Sequence, residues 1–233
     1  MKSTFSLKKI VILVAILALP GFLYYLLKEK GKNRYKPLPF YGPKELPGTF
    51  TTRRGKKIPD TIYHTIRDFK LVNQEGKEVS FPSSAHRITI ANFFYTRCGS
   101  GCDASNKAMN RAYERFSKNP LIHFISISLD PDRDTPEALL TFSKQFNALP
   151  GKWDFLRGAQ AEVFQLVRKD FLLDAVIDTG DKGDILHSST IVLLDPHKRI
   201  RGLYDPSRKE SVDLLIDETK VLIAEELRSI KDR

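Results

Sequence analysis

Apolar positions along this chain fall into three rhythms. The first is unbroken: from Ile10 to Leu27, eighteen successive residues carry no charge. Spanning a bilayer takes about 20 apolar residues, with a lower limit near 17, so the run is long enough. A cleaved signal peptide is the alternative, but no small-x-small site closes the run, and bulky Phe22, Tyr24 and Tyr25 extend it. An uncleaved N-terminal transmembrane helix is therefore expected within residues 1–27. Residues 28–60 show no apolar period. Pro37, Pro39, Pro43, Pro47 and Pro59 mix there with Gly42, Gly48 and basic side chains, the pattern of a tether. Such a tether provides reach towards a membrane-embedded partner, or simple spacing with attraction to anionic lipid.

The other two rhythms belong to residues 61–233, the expected folded domain. Phe69 to Val72 and Glu78 to Phe81 flank a Gly-containing turn and predict a β-hairpin. Residues 88–95 and 121–129 are β-rich and mostly apolar, as buried strands of α/β sheets are. Shorter strands are expected at 153–156, 190–194 and 200–204. Helical signals alternate with them. The first helix covers residues 103–116. Asp134-Thr135-Pro136-Glu137 opens the second, since Asp or Thr caps and Pro takes an early position that needs no N–H. Leu139, Phe142 and Phe146 then recur at helical spacing as far as Pro150-Gly151, and residues 161–169 form a third helix. In the last helix Val212, Leu215, Ile216, Thr219, Leu222, Ile223, Leu227 and Ile230 make one apolar stripe. Strand and helix alternate, and a hairpin and helix close the chain. The fold class is α/β, a thioredoxin-like sheet flanked by helices, behind a transmembrane helix and tether.

Composition changes this picture little. Hydrophobic residues at 41% and charged residues at 28% exclude collagen-like, disordered and polytopic membrane classes. Charge changes it more, because the net +10 is unevenly placed. Residues 1–57 carry 13 Lys and Arg against 2 Asp and Glu, whereas residues 58–233 carry 25 against 26. With no basic excess in the domain there is no electrostatic case for a nucleic-acid groove, and no nucleic-acid partner is expected.

The candidate chemistry rests on two cysteines, Cys98 and Cys102, placed directly after the first buried strand and at the start of a helix. Residues four apart on a helix share a face with Cα atoms near 6 Å, close enough for a disulfide or for two thiolates on one metal. The helix N-terminus favours thiolate, the form that attacks disulfides and binds metals. A purely structural disulfide is the plainer reading, but so short a loop removes little unfolded-state entropy. Two soft thiolates alone suit Cu(I) or an incomplete zinc site, and a neutral imidazole as third ligand would favour copper over hard cations. Of the five histidines, His64, His86 and His197 lie in polar connections and His123 lies inside a strand. His187 follows an acidic, Gly-containing loop (Asp178, Gly180, Asp181, Gly183, Asp184) and precedes a buried strand. A mobile loop could deliver its ring over the cysteines, though a spacing of 85 residues does not establish this.

Three blocks in order resemble the signatures of the Sco/SenC family. They are Phe94-Tyr95-Thr96-Arg97-Cys98-Gly99-Ser100-Gly101-Cys102, then Ser128-Leu129-Asp130-Pro131-Asp132-Arg133-Asp134-Thr135-Pro136-Glu137, then His187-Ser188-Ser189-Thr190 leading to Leu194-Asp195-Pro196. The resemblance implies a copper site made by Cys98, Cys102 and His187, with copper as Cu(I) or Cu(II). Asp130 would be a carboxylate behind these ligands that tunes geometry or redox, or one that only fixes its loop. The implied role is copper delivery to, or thiol reduction at, the dinuclear copper site of cytochrome c oxidase. Partners would be the copper-receiving subunit of that oxidase and other copper carriers or thiol reductants. The alternative is a thiol-disulfide oxidoreductase using Cys98 and Cys102 as its redox pair, although Cys-x-x-x-Cys differs from the usual spacing of two intervening residues. Gly99 and Asp103 stand where family members usually carry Pro, which would relax the loop. The implied place is the cell membrane, single-pass, with the domain on the extracytoplasmic, periplasmic side. Basic residues argue the reverse: Lys2, Lys8 and Lys9 precede the span while Lys28, Lys30, Lys32, Arg34 and Lys36 follow it.

Overall fold

The structure, a computed structural model, describes residues 7–30, 37–53, 56–82, 87–98, 100–177 and 185–231. Two units result, residues 1–36 and residues 37–233. In the first, helix α1 (Leu7–Lys30) contains the uncharged run. Most of its described apolar side chains, among them Ile12, Leu13, Ile16, Leu17 and Phe22, are exposed. Among the described residues no helix is long and apolar enough to cross a membrane. The side chains of Ile10, Val11, Ala15 and Leu27 in α1 are outside that description.

The second unit starts at Pro37, well inside the expected tether of residues 28–60. Leu38 is buried, and its N–H donates to Glu225 at 3.0 Å. Arg201 donates to the carbonyls of Leu38 and Pro39 at 2.8 and 3.1 Å, and Tyr41 N–H reaches the carbonyl of Ile200 at 2.9 Å. An extended, Pro-rich segment leaves its carbonyls free to accept such bonds. The segment is therefore a strap of the domain. Strand β1 (Lys44–Glu45) follows, then the antiparallel pair β2 (Phe50–Arg53) and β3 (Lys56–Pro59), and β4 (Ile62–Tyr63) returns beside β1.

The expected hairpin of β5 (Phe69–Val72) and β6 (Glu78–Phe81) is present. The main sheet then builds from β7 (Ile88–Phe94), helix α2 (Ser100–Phe116), β8 (Ile122–Ser128), helix α3 (Pro136–Ser143) and β9 (Trp153–Leu156). Helix α4 (Gln160–Gln165), the short strands β10 (Ala175–Ile177) and β11 (Ile185–His187), β12 (Ile191–Leu194), β13 (Ile200–Tyr204) and helix α5 (Lys209–Lys231) complete the chain. Strand order is β13-β12-β7-β8-β9. The β7–β8 and β8–β9 pairs are parallel, and β12 and β13 are antiparallel. This is the thioredoxin-like arrangement.

Every residue of β7 and β8 is buried, because alternate side chains feed two cores. Ile88, Ile90, Phe94, Ile122 and Phe124 join the core with α2 and α5. Ala91, Phe93, Ile125 and Ile127 join the opposite core with β5, β6 and α4. Val212, Leu215 and Leu222 of the α5 stripe are buried, each contributing about 2 kcal/mol. Leu227 is exposed instead, and the side chain of Ile230 is outside the described residues.

Several boundaries differ from expectation for local reasons. The first helix begins at Ser100, three residues early, so Cys102 is inside it and Cys98 is not. The helix opened by Pro136 passes into a 3-10 turn at Lys144–Phe146 and stops at Asn147, whose φ of 50° is left-handed. The helix expected at 161–169 is α-helical only to Gln165, with a π-helical turn over Leu166–Asp170. The β10–β11 hairpin is additional, and it carries His187.

Candidate metal centre

The site forms where β7 runs through residues 95–98 into α2, at the C-terminal end of a buried parallel strand. Cys98 lies in a turn closed by its own N–H, which donates to the Tyr95 carbonyl at 3.0 Å. It is half-buried, while Cys102 in the first turn of α2 is fully buried. Their Cα atoms are 5.6 Å apart and a disulfide joins them. The turn, rather than a shared helix face, brings the sulfurs together. When reduced, Cys102 is placed where unpaired helix N–H groups stabilise a thiolate.

His187 ends β11, opposite Ala175 on β10. Its half-buried ring packs edge-on to Tyr95, with centroids 5.9 Å apart. Nδ1 lies 3.0 Å from the Ser188 carbonyl, which can only accept, so Nδ1 carries the proton of the neutral ring. The lone pair is then on Nε2, which lies 3.3 Å from Cys102 Sγ and 3.9 Å from Cys98 Sγ. Burial holds this imidazole below its usual pKa, outweighing the hydrogen bond to Ser188, which favours the charged form. A neutral ring with a free lone pair is what a metal needs. Among the described residues, the donor atoms of Cys98, Cys102 and His187 all lie within 4.8 Å of one another. The acidic loop expected to deliver His187 falls outside the described residues; a strand pair holds the ring instead.

Asp130 does not face the sulfurs through any of its described partners. Its carboxylate accepts from Arg133 at 3.0 Å and its N–H donates to Ser128 Oγ at 3.1 Å. The carboxylate that reaches the cysteine turn is Asp134, which is fully buried. It accepts from the N–H and hydroxyl of Thr96, two residues before Cys98, and from the hydroxyl of Ser128. The sequence disguised this residue as a helix cap, a role that Thr135 takes by accepting from Ala138 N–H. Beneath α2 a second buried set pins the helix to the sheet. Asn92 donates to Ser105 at 3.0 Å, Ser126 donates to Asn92 at 2.6 Å, and Trp153 donates to Ser126 at 2.9 Å.

The remaining described histidines serve elsewhere. His64 Nε2 meets the Asp170 carbonyl at 2.6 Å, His123 pairs with Asp154, and His197 sits in the Asp195–Lys198 turn. His86 is outside the described residues.

The SCO1/SenC family profile matches residues 59–223. The chain belongs to the SCO1/SenC family. A SCO1 protein homolog of Bacillus subtilis is 27% identical over 169 residues, covering 71% of this chain and 86% of that one. The solved structure of BsSco, a member of the Sco family of cytochrome c oxidase assembly proteins in which a disulfide switch is identified, is 26% identical with a TM-score of 0.58. It covers 67% of this SCO1/SenC chain and is itself covered to 92%. Bradyrhizobium japonicum ScoI, solved with copper bound, matches at 24% identity and a TM-score of 0.55, covering 68% of this chain and 99% of its own. At that identity the likeness carries the fold.

Proposed function

We propose that this protein is a membrane-anchored copper carrier that delivers copper to, or reduces the thiols of, the dinuclear copper site of cytochrome c oxidase. One observation carries the reading: the unprotonated Nε2 of His187 converges on both sulfurs of the Cys98-Cys102 pair. Two thiolates and one neutral imidazole form a soft donor set that suits copper better than hard cations. Copper is the cargo, held by Cys98, Cys102 and His187 when the cysteines are reduced. Cys98, the more exposed sulfur, is the one an incoming thiolate reaches first, so exchange begins there. Asp130 acts on this centre only through its loop, by way of Ser128 and Asp134. Gly99 and Asp103, in place of Pro, leave the turn to be shaped by the Cys98–Tyr95 bond and the Thr96–Asp134 contacts.

The anchor reading draws on the uncharged run of α1 and the exposure of most of its described apolar side chains. The extracytoplasmic assignment draws on the SCO1/SenC family membership. The receiving partner is then the copper-binding subunit of the oxidase, in or at the same membrane.

A second reading, a thiol-disulfide oxidoreductase, is favoured by the unequal exposure of the two sulfurs. The Cys98 thiolate attacks a partner disulfide, and Cys102 then attacks the mixed disulfide. The partner leaves as a dithiol, and this chain keeps the Cys98-Cys102 disulfide. Cu(I) competition titrations on the reduced full chain in detergent separate the two readings. If copper carriage is correct, His187→Ala abolishes tight binding while thiol exchange persists. Equal copper affinity with and without the imidazole would leave only the redox role.

A further inference from the structure

The family match begins at residue 59, so β1, β2 and most of β3 precede it and play no part in the metal centre. The β2–β3 pair is a two-stranded arm in which Phe50 faces Pro59, Thr51 faces Ile58 and Thr52 faces Lys57. Directly opposed residues share a face and successive pairs alternate. Phe50 and Ile58 therefore lie on opposite faces, and neither is covered: they are 61% and 47% exposed. At the base of the arm Leu46 and Ile62 are exposed to 68% and 56%. A two-stranded hairpin without a packed face is marginal in water, and large uncovered apolar side chains worsen its position. Charge in the same stretch is one-sided. Residues 37–60 contain five Lys and Arg against Glu45 and Asp60, and Asp60 already accepts from the Thr51 hydroxyl.

We propose that this arm, with Leu46 and Ile62 at its base, docks on the anionic headgroup region of the bilayer that holds α1. The proposal rests on the anchor reading given above. Aliphatic and aromatic side chains interspersed with Lys suit the boundary between acyl chains and phosphates, where the rings and alkyl groups enter and the ammonium groups meet anionic oxygen. A ribbon with an uncovered apolar side chain on each face fits a medium that closes around it, not a rigid partner that covers one face. Basic residues in β2, β3 and at Lys44 supply the charge complement to anionic lipid. Docking confines the domain to the membrane surface, so that it meets a membrane-embedded recipient by diffusion in two dimensions.

The test uses the full chain carrying Phe50→Trp, reconstituted in phosphatidylcholine vesicles with or without phosphatidylglycerol, each containing brominated acyl chains as quencher. The single native tryptophan, Trp153, is fully buried and provides the baseline in the parental chain. Emission from position 50 should be largely quenched in the anionic vesicles only, and should recover at 1 M salt, where the screening length falls to about 3 Å. Lys44→Gln and Lys57→Gln should each weaken the contact about 5-fold. If the chain floats with the anionic vesicles but position 50 stays unquenched, or is quenched equally in neutral ones, the docking proposal is overturned while the anchor stands. A chain that fails to float with either vesicle overturns the anchor reading and this proposal with it.

Discussion

Two histidines of this domain meet opposite fates. His123, inside β8, is 2% exposed and lies 2.8 Å from Asp154, which is buried to the same degree. Burial pushes the Asp154 carboxyl up, but hydrogen bonds from His123 and the Gly151 N–H, aided by the His123 charge and Asn73, hold it below the usual carboxylate range. His187, at the end of a short hairpin, has no carboxylate among its described partners. A backbone carbonyl takes its Nδ1 proton, and Nε2 is left facing two sulfurs. The buried Asp154 carboxylate holds His123 inside the sheet, away from the metal centre. A carbonyl partner fixes the tautomer and leaves the second nitrogen available for chemistry.

Exchanging the two losses gives the largest effect. His187→Ala should abolish tight copper binding by the reduced chain, exceeding the roughly 100-fold that loss of a supporting partner behind a ligand costs, with little change in urea stability. His123→Ala should do the converse. It strips the imidazole from a buried carboxylate that keeps only its Gly151 and Asn73 bonds, costing about 1–3 kcal/mol in urea unfolding, while copper affinity of the folded protein is retained. Copper loss in both variants, or in neither, would break the distinction.

A smaller effect is expected at the support of the cysteine turn. Asp134→Ala strands the N–H and hydroxyl of Thr96 and the hydroxyl of Ser128, a cost of about 1–3 kcal/mol. Copper affinity should fall by less than in His187→Ala. Asp130→Ala should change both quantities less, because its partner Arg133 is half exposed and such pairs contribute little. Equal effects of the two aspartates in urea and copper titrations would contradict the assignment of the clamp to Asp134.

The smallest effect is a pH dependence. The folded imidazole of His187 titrates below its usual value because of burial. As pH falls through about 6.5, the unfolded chain takes up a proton at this residue while the folded chain does not, so stability falls. Well above that pH both states are neutral and the contribution vanishes. Urea midpoints of the metal-free, disulfide-bonded chain should therefore drop more steeply from about pH 8 to about pH 5.5 than those of His187→Gln; parallel profiles would contradict the burial argument.

How far this was legible from sequence depends on the length of each signal. β7 and β8 are long runs buried on both faces, and α5 carries a long stripe, so pattern alone located them. Cys98 and Cys102 stood out as the only cysteines at a strand-to-helix junction. The β10–β11 hairpin did not, because two three-residue strands with Val176 and Leu186 exposed on one face leave no period to detect. The strap at residues 38–41 carries the sequence pattern of a tether, and its anchor, Arg201, is remote in sequence. Asp134 was hidden by the helix-start signal around it. His187 was marked out by its place between an acidic loop and a buried strand, and the resemblance to the family made it a ligand.

X-ray absorption at the copper edge of the reduced, copper-loaded full chain tests the central claim most directly. Two sulfur scatterers and one imidazole should surround the metal, and the imidazole signal should vanish in His187→Ala. A shell of sulfur alone in the native chain, or an imidazole that survives the substitution, would contradict the account.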